Sequence, residues 1–201
     1  MITFQAALTG ALTGGLYALM AAALSATWGV LRVINLAHFG LILAGAYLTY
    51  QVTTSWGLDP ILTLVVTVPP LFLAGAALQG AYDRLGVSGF GSLLMSFGLL
   101  IIVIQVANNI WTADYRRLDP AVNPYATGGL SIGRIVLPTS TLIAFGFAVV
   151  LIGGGYLALQ RTFLGRAMRA FAEDRMVAAA FGIDHRRLGL LLGGPGGASA
   201  A

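Results

Sequence analysis

The residue types that carry most enzyme chemistry are sparse and scattered in this chain of 201 residues. There is no cysteine, and the two histidines, His38 and His185, lie far apart. All eleven basic residues are arginine, so the chain lacks the lysine that a phosphate-binding GxxxxGK[ST] loop requires. The acids form no catalytic or metal-binding pattern: Asp59, Asp83, Asp114, Asp119, Glu173, Asp174 and Asp184. We therefore expect no enzyme activity, no metal site and no cofactor, and any ATP used would be bound by another chain.

The most informative charged stretch is TFLGRAMRAFAEDRMVAAAFGI at 162–183. Its composition predicts a helix over 163–182, with Thr162 as its N-terminal cap and Gly182 at its end. Helical spacing separates a charged face from an apolar one. The charged face contains Arg166, Arg169 and Glu173, and the apolar face contains Leu164, Met168, Phe171 and Ala172. Two interpretations stay open: a helix lying on the membrane surface, or a docking helix for a cytoplasmic partner.

The remaining sequence must position this helix, and it is dominated by apolar residues. Hydrophobic residues make up 58% of the chain and charged residues 9%, whereas soluble domains carry about a quarter charged residues. Five stretches without Asp, Glu, Lys or Arg exceed the roughly 20 residues needed to cross a bilayer. We predict an all-α, polytopic transmembrane helix bundle with about five spans and one cytoplasmic coupling helix. The predicted spans lie near 5–30, 36–56, 60–81, 88–111 and 136–160, within a membrane domain of residues 1–190.

The arginines predict the orientation of the bundle. With five spans, one side collects eight arginines and the other three, and the arginine-rich side is expected in the cytoplasm. The first group is Arg32, Arg84, Arg161, Arg166, Arg169, Arg175, Arg186 and Arg187; the second is Arg116, Arg117 and Arg134. The N-terminus and the loop 111–134 are then outside. This loop is interpreted as a connector, or as a lip that meets a solute-delivery protein.

Three local features concern packing within the predicted spans. A GxxxG spacing at Gly10 and Gly14 favours close helix approach. Pro69-Pro70 and the glycine run at 153–155 interrupt two spans, either as ordinary kinks or as irregular backbone that flanks a solute path. His38 lies at a helix end, where a simple hydrogen-bonding role is the expectation.

Two motifs give the chain a resemblance to a known family. The first is WGVLRVINLAH at 28–38, followed by Gly40 and by GAY at 45–47; it contains Gly29, Asn35, Ala37 and His38. The second is RTFLGRAMRA at 161–170, followed by Asp174, Ala178 and GI at 182–183. These motifs resemble the permease subunits of branched-chain amino acid ABC importers. The chain departs from the family pattern at Phe39, which stands between His38 and Gly40.

The resemblance implies a function and a set of partners. It implies a permease subunit of an ATP-driven importer for branched-chain or related amino acids, in the bacterial inner membrane. The implied partners are cytoplasmic ATP-binding subunits, a second permease subunit, a solute-binding protein outside the membrane and membrane lipid, with no nucleic acid. The implied ATPase-coupling residues are Arg166, Arg169, Ala170, Glu173, Asp174, Ala178, Ala179 and Gly182.

The segment 191–201 is atypical for this family, because Pro195 among several glycines disfavours a further span. We expect a chain shortened just after its docking helix. Alternatives to the amino acid importer are a permease for urea or short amides, a secondary transporter or channel, and an inactive fragment or membrane scaffold.

Overall fold

The computed structural model describes residues 2–87, 89–112, 116–120, 122–132, 135–174 and 194–199. Five long helices correspond to the five predicted spans, and a sixth, shorter helix follows them. Their bounds are α1 Ile2–Leu31, α2 Ala37–Trp56, α3 Leu64–Leu85, α4 Phe90–Trp111, α5 Thr139–Arg161 and α6 Phe163–Glu173. The predicted all-α membrane bundle is confirmed, and the third span begins later and ends later than predicted.

Four of the long helices are long and apolar enough to cross a membrane: α1, α3, α4 and α5. Their large apolar side chains are widely exposed, as on α4 at Ile102 and on α5 at Val150. Lipid rather than water is the solvent that suits such a surface. Helix α2 has 20 residues but is not among these four. It carries His38 and several threonines, and it packs between α3 and α4.

The long helices alternate in direction, so that their ends gather at two opposite ends of the bundle. At one end, the chain just after α1 lies beside the start of α4, where Val33 and Gly89 form an isolated parallel β-bridge. This end also carries Arg32, Arg84, Arg161 and α6. The other end joins the last turn of α2 to that of α4, where Trp111 Nε1 donates to Gln51 Oε1 at 2.9 Å. We call these the arginine-rich end and the loop end.

The loop end carries a hairpin that the sequence did not predict. Strands β1 (Gly129–Ile132) and β2 (Ile135–Pro138) pair in antiparallel register, with Leu130 opposite Leu137. The hairpin leads directly into α5 and packs on the start of α1. Part of the predicted irregular loop is therefore an ordered connector.

Helix α1 packs along α5, with a close approach at one of its glycines. A side chain at Gly15 would meet the Phe145 ring at 2.5 Å, whereas the positions of Gly10 and Gly14 are open to 4 Å. Within the described chain, the GxxxG pair therefore makes no close helix contact, and its use in packing stays a prediction. The glycine that allows close approach is the neighbouring Gly15.

The short segment 194–198 is helical and packs against α3. A side chain at Gly197 would overlap the Leu71 carbonyl, and one at Gly194 would overlap the Phe72 ring. The glycines that were expected to disfavour a span thus allow this turn to lie directly on α3.

Candidate functional site

The first motif forms a break between two helices. Helix α1 ends at Leu31, Arg32 takes a positive φ of 54°, and α2 does not begin until Ala37. The backbone between them cannot bond in the regular helical way, yet Val33 is buried. Buried backbone polar groups need partners. We call residues 32–36 the unwound segment.

Two serines of α4 supply these partners. Ser92 Oγ accepts from the Ile34 N–H at 3.2 Å, and Ser96 Oγ accepts from the Leu36 N–H at 3.0 Å. The Ser96 hydroxyl also lies 3.2 Å from the Ile34 carbonyl, toward which it donates. Both serines are completely buried. Side chains on α4 therefore hold the backbone of the unwound segment.

The motif residues have different surroundings. Ala37, His38 and Gly40 are buried at the start of α2, and Gly29 is exposed. Asn35 is half-buried, and its Oδ1 accepts from the Tyr82 hydroxyl at 3.5 Å. Gly40 faces α4, where an added side chain would meet Leu100 at 3.3 Å. Phe39, the departure from the family pattern, is exposed on the surface.

His38 has one side of its ring beside the backbone of Gly196. Its Nε2 atom is buried and has no hydrogen-bond partner. The expected simple hydrogen-bonding role thus accounts for only part of the imidazole. Among the described residues, no three His, Asp or Glu side chains lie close enough together to hold a metal ion.

Helix α6 begins as the sequence predicts. Thr162 Oγ1 accepts from the Gly165 N–H at 3.1 Å and so caps the first turn. Gly165 packs against the backbone of Leu159, where a side chain would overlap. The helix ends at Glu173, and Asp174 is extended with φ −144° and ψ 111°. The helix predicted over 163–182 is therefore interrupted at Asp174, and residues 175–182 lie outside the described part of the chain.

The two faces of α6 are sharply different. Ala167, Met168 and Phe171 are buried. The predicted coupling residues of the described segment lie on the exposed side: Arg166, Arg169, Ala170, Glu173 and Asp174. Leu164, predicted on the apolar face, is 47% exposed. The other predicted coupling residues, Ala178, Ala179 and Gly182, fall outside the described residues.

The buried face of α6 packs on the unwound segment and its neighbours. Met168 and Phe171 belong to one apolar cluster with Val33 and Ala37. Tyr82 of α3 completes this contact and reaches Asn35 through its hydroxyl. The two sequence motifs, more than a hundred residues apart, therefore meet at the arginine-rich end. We call this cluster the docking core.

The sequence interpretation missed Ser92, Ser96 and Tyr82. A signal existed, because two serines spaced four apart in the apolar first half of α4 lie on one face. The prediction that Pro69-Pro70 and the run at 153–155 interrupt two spans is wrong, because α3 and α5 are continuous through them. Their place beside a solute path stays a prediction. All five residues are exposed, and the three glycine positions have nothing within 4 Å.

The loop end has its own polar contact. Asp59, in the turn between α2 and α3, accepts from the Ile61 N–H through Oδ1 at 2.8 Å. Its Oδ2 accepts from the Tyr125 hydroxyl at 2.9 Å. This hydrogen bond to a carboxylate raises the pKa of the Tyr125 phenol above its ordinary value. Asp59 thereby connects the loop that contains Tyr125 to the loop end of the bundle.

Comparison with known families decides the identity. The model of the branched-chain amino acid transport system / permease component family matches residues 6–201. The chain belongs to this family. It is accordingly a multi-pass membrane protein of a transport family.

Individual relatives are distant but match along most of the chain. It is 26% identical over 196 residues to the high-affinity branched-chain amino acid transport system permease protein BraD of Pseudomonas aeruginosa. It is 25% identical over 195 residues to the corresponding protein LivH of Escherichia coli K12. Both matches cover 92% of this chain, but only 64% and 63% of those relatives. No solved structure matches the chain.

Proposed function

We propose that the chain is the membrane-embedded permease subunit of an ATP-driven importer for branched-chain or related amino acids. The observation that carries the proposal is the two-sided placement of α6. Its apolar face is packed in the docking core, and its charged face is exposed. On that face Arg166 and Arg169 donate to the last carbonyls of α5, those of Arg161 and Gln160, at 3.4 Å each. A force applied to the charged face would therefore be transmitted to the membrane bundle.

The proposed coupling runs through the residues of α6. An ATPase subunit would contact Arg166, Arg169 and Glu173, with Ala170 allowing close approach. Asp174, Ala178, Ala179 and Gly182 are proposed as further contacts along the following segment. Movement of α6 would reach the unwound segment through Met168 and Phe171, because close-packed side chains transmit displacement.

The proposed assembly needs other chains. ATP would be bound and hydrolysed on cytoplasmic partner subunits, since the chain has no lysine for a phosphate-binding loop. A second permease subunit would complete the solute path, and a solute-binding protein would deliver cargo at the loop end. The arginine-rich end would face the cytoplasm and the N-terminus the outside, in agreement with the arginine distribution.

The choice of cargo follows the relatives. BraD and LivH are named as permease proteins for branched-chain amino acids. That favours an amino acid over urea or short amides. A secondary transporter or channel is not favoured, because the family is a permease component of a transport system.

The proposal is tested by reversing one charge on α6. Arg169→Glu should weaken co-purification of the ATPase subunits and reduce stimulation of their ATPase activity. Its side chain is exposed and makes one long, solvent-exposed hydrogen bond to the Gln160 carbonyl at 3.4 Å, so the thermal stability of the permease should change little. The matched control is Arg117→Glu, an exposed arginine beyond the other end of the bundle. Normal ATPase association and normal leucine uptake in the Arg169→Glu complex would disprove the docking role.

A further inference from the structure

Helix α2 carries a set of buried polar atoms that nothing in the fold uses. Within the described residues, three buried side-chain nitrogen or oxygen atoms lack a hydrogen-bond partner. They are His38 Nε2, Thr49 Oγ1 and Thr53 Oγ1. His38 is 3% exposed and Thr53 is 0% exposed. All three belong to α2, the long helix that is absent from the apolar spans.

The three residues lie on one face of α2. At about 100° per residue, their spacing places them within an arc of roughly 60°. The buried Gly45 lies about 20° beyond one edge of this arc. At about 1.5 Å per residue, the row extends some 22 Å along the helix, which is most of the hydrocarbon thickness. We call His38, Gly45, Thr49 and Thr53 the polar row.

The polar row points away from α4. The opposite side of α2 packs on that helix through Gly40 and Tyr47, whose ring stacks on Trp111. On the side of the polar row, Leu41 packs on Leu71 of α3. Buried residues of α3 repeat every four positions through Leu71: Thr67, Gly75 and Gln79. The polar row therefore lies on the side of α2 away from α4 and nearer to α3, with the backbone of Gly196 beside His38.

Burial without a partner is costly. An unsatisfied buried polar atom loses its hydrogen bonds to water and gains none in return, so such atoms are uncommon in native proteins. Three on one helix face are best explained by a second conformation in which water or solute supplies the missing partners. Polar groups within a membrane bundle commonly line such paths.

We infer that the polar row of α2 lines the path of the transported solute. The inference rests on the proposed transport function and adds the lining of the path. Threonine hydroxyls both donate and accept, and the imidazole offers an unpartnered ring nitrogen, so together they match the ammonium and carboxylate groups of an amino acid. Helix α2 contains no charged residue. A neutral lining binds a zwitterion weakly enough for it to leave again.

A purely structural explanation makes a different prediction. Threonine hydroxyls in a helix can turn to bond the carbonyl four residues earlier, as Thr54 bonds Tyr50 at 2.7 Å. In that case Thr49 and Thr53 would stay in dry packing at every stage. Access of water to these positions separates the two explanations.

The chain has no cysteine, so single cysteines can be probed without background. Thr49→Cys and Thr53→Cys are placed in the full complex in membranes and exposed to a cationic, water-soluble methanethiosulfonate during ATP turnover. The control is Ile102→Cys, on the exposed apolar surface of α4. We expect both row positions to react at least several-fold faster than Ile102→Cys. Equal, negligible labelling of all three would overturn the inference.

Protection of the cysteines by solute and the measurement of leucine uptake provide two further tests. Leucine should slow the labelling of Thr53→Cys several-fold. If leucine left the labelling rate unchanged, the row would still line a water-accessible path, but leucine would not be the solute that occupies it. Thr53→Val should lower leucine uptake roughly fivefold, the equivalent of one net hydrogen bond, whereas Thr54→Val should not. Leucine uptake that Thr53→Val leaves unchanged would contradict a role for the polar row in the solute path.

A wild-type complex that takes up no leucine would contradict the proposed function. The cysteine labelling alone would then decide whether the polar row lines a water-accessible path.

Discussion

The Ser96 hydroxyl accepts a hydrogen bond from the Leu36 backbone N–H at 3.0 Å. This bond joins the second turn of α4 to the last residue before α2. The Leu36 N–H has no helical carbonyl partner, because the chain is unwound on both sides of Asn35. The Ser96 hydroxyl supplies the acceptor instead. The unwound segment carries Val33 of the docking core, so α4 supports part of the surface on which α6 packs.

Ser96→Ala should destabilise the protein. The substitution leaves the Leu36 N–H buried without a partner, at a cost of about 1–3 kcal/mol. Thermal unfolding of the purified chain in detergent would measure the loss. The matched control is Ser25→Ala, because Ser25 is exposed on α1 and its loss should change the melting temperature little. Equal melting temperatures for the two variants would contradict a holding role for Ser96.

Phe171→Ala should detach α6 from the bundle. Phe171 is 4% exposed and packs in the docking core, so truncation removes most of one apolar anchor. Loss of a buried phenylalanine costs about 3–5 kcal/mol. Faster hydrogen exchange of the α6 amides would report the detachment.

Phe163→Ala is the control for that change. Phe163 belongs to the same helix but is 73% exposed. Its truncation should leave exchange in α6 almost unchanged. If both variants exchanged at the same rate, the docking core would not be what holds α6.

The five long helices were predictable because each apolar run is long enough to define a span by itself. The cap at Thr162 was predictable for a similar reason, since it depends on residues of its own turn. The end of α6 was not predictable, because alanine-rich sequence continues past Glu173 with good helix propensity. Propensity contains no information about the extended backbone at Asp174.

The candidate site was predictable in its members but not in its assembly. The motifs identified His38 and Arg169, but the sequence does not show that the two motifs pack together. That contact depends on Met168 meeting Val33, a tertiary contact between distant segments. The hairpin was missed because its two strands have four residues each, within a stretch rich in turn residues.

The Tyr125 phenol should titrate above the ordinary tyrosine value of about 10, because its hydrogen bond to Asp59 favours the neutral form. A raised pKa in the folded state means that the bond contributes stability below about pH 10. That contribution is lost as the pH rises through the raised pKa. Ultraviolet titration of the wild type against Tyr125→Phe would isolate this phenol among the seven tyrosines.

Asp59→Asn is the companion variant for that titration. It keeps the size of the side chain and removes the negative charge, so the pKa of Tyr125 should fall toward its ordinary value. If the Tyr125 component titrated at the same pH in Asp59→Asn and in the wild type, the hydrogen bond would not be the cause of the shift.

Gly197→Ala should destabilise the packing of 194–198 on α3. The added methyl group would overlap the Leu71 carbonyl, which is backbone and cannot rotate away. In the control, Gly154→Ala, the methyl group enters open space on α5. Alanine there improves helix propensity by up to about 1 kcal/mol. The two changes should therefore shift the melting temperature in opposite directions, down for Gly197→Ala and slightly up for Gly154→Ala. A Gly197→Ala protein as stable as the wild type would mean that 194–198 does not lie against α3 in the membrane.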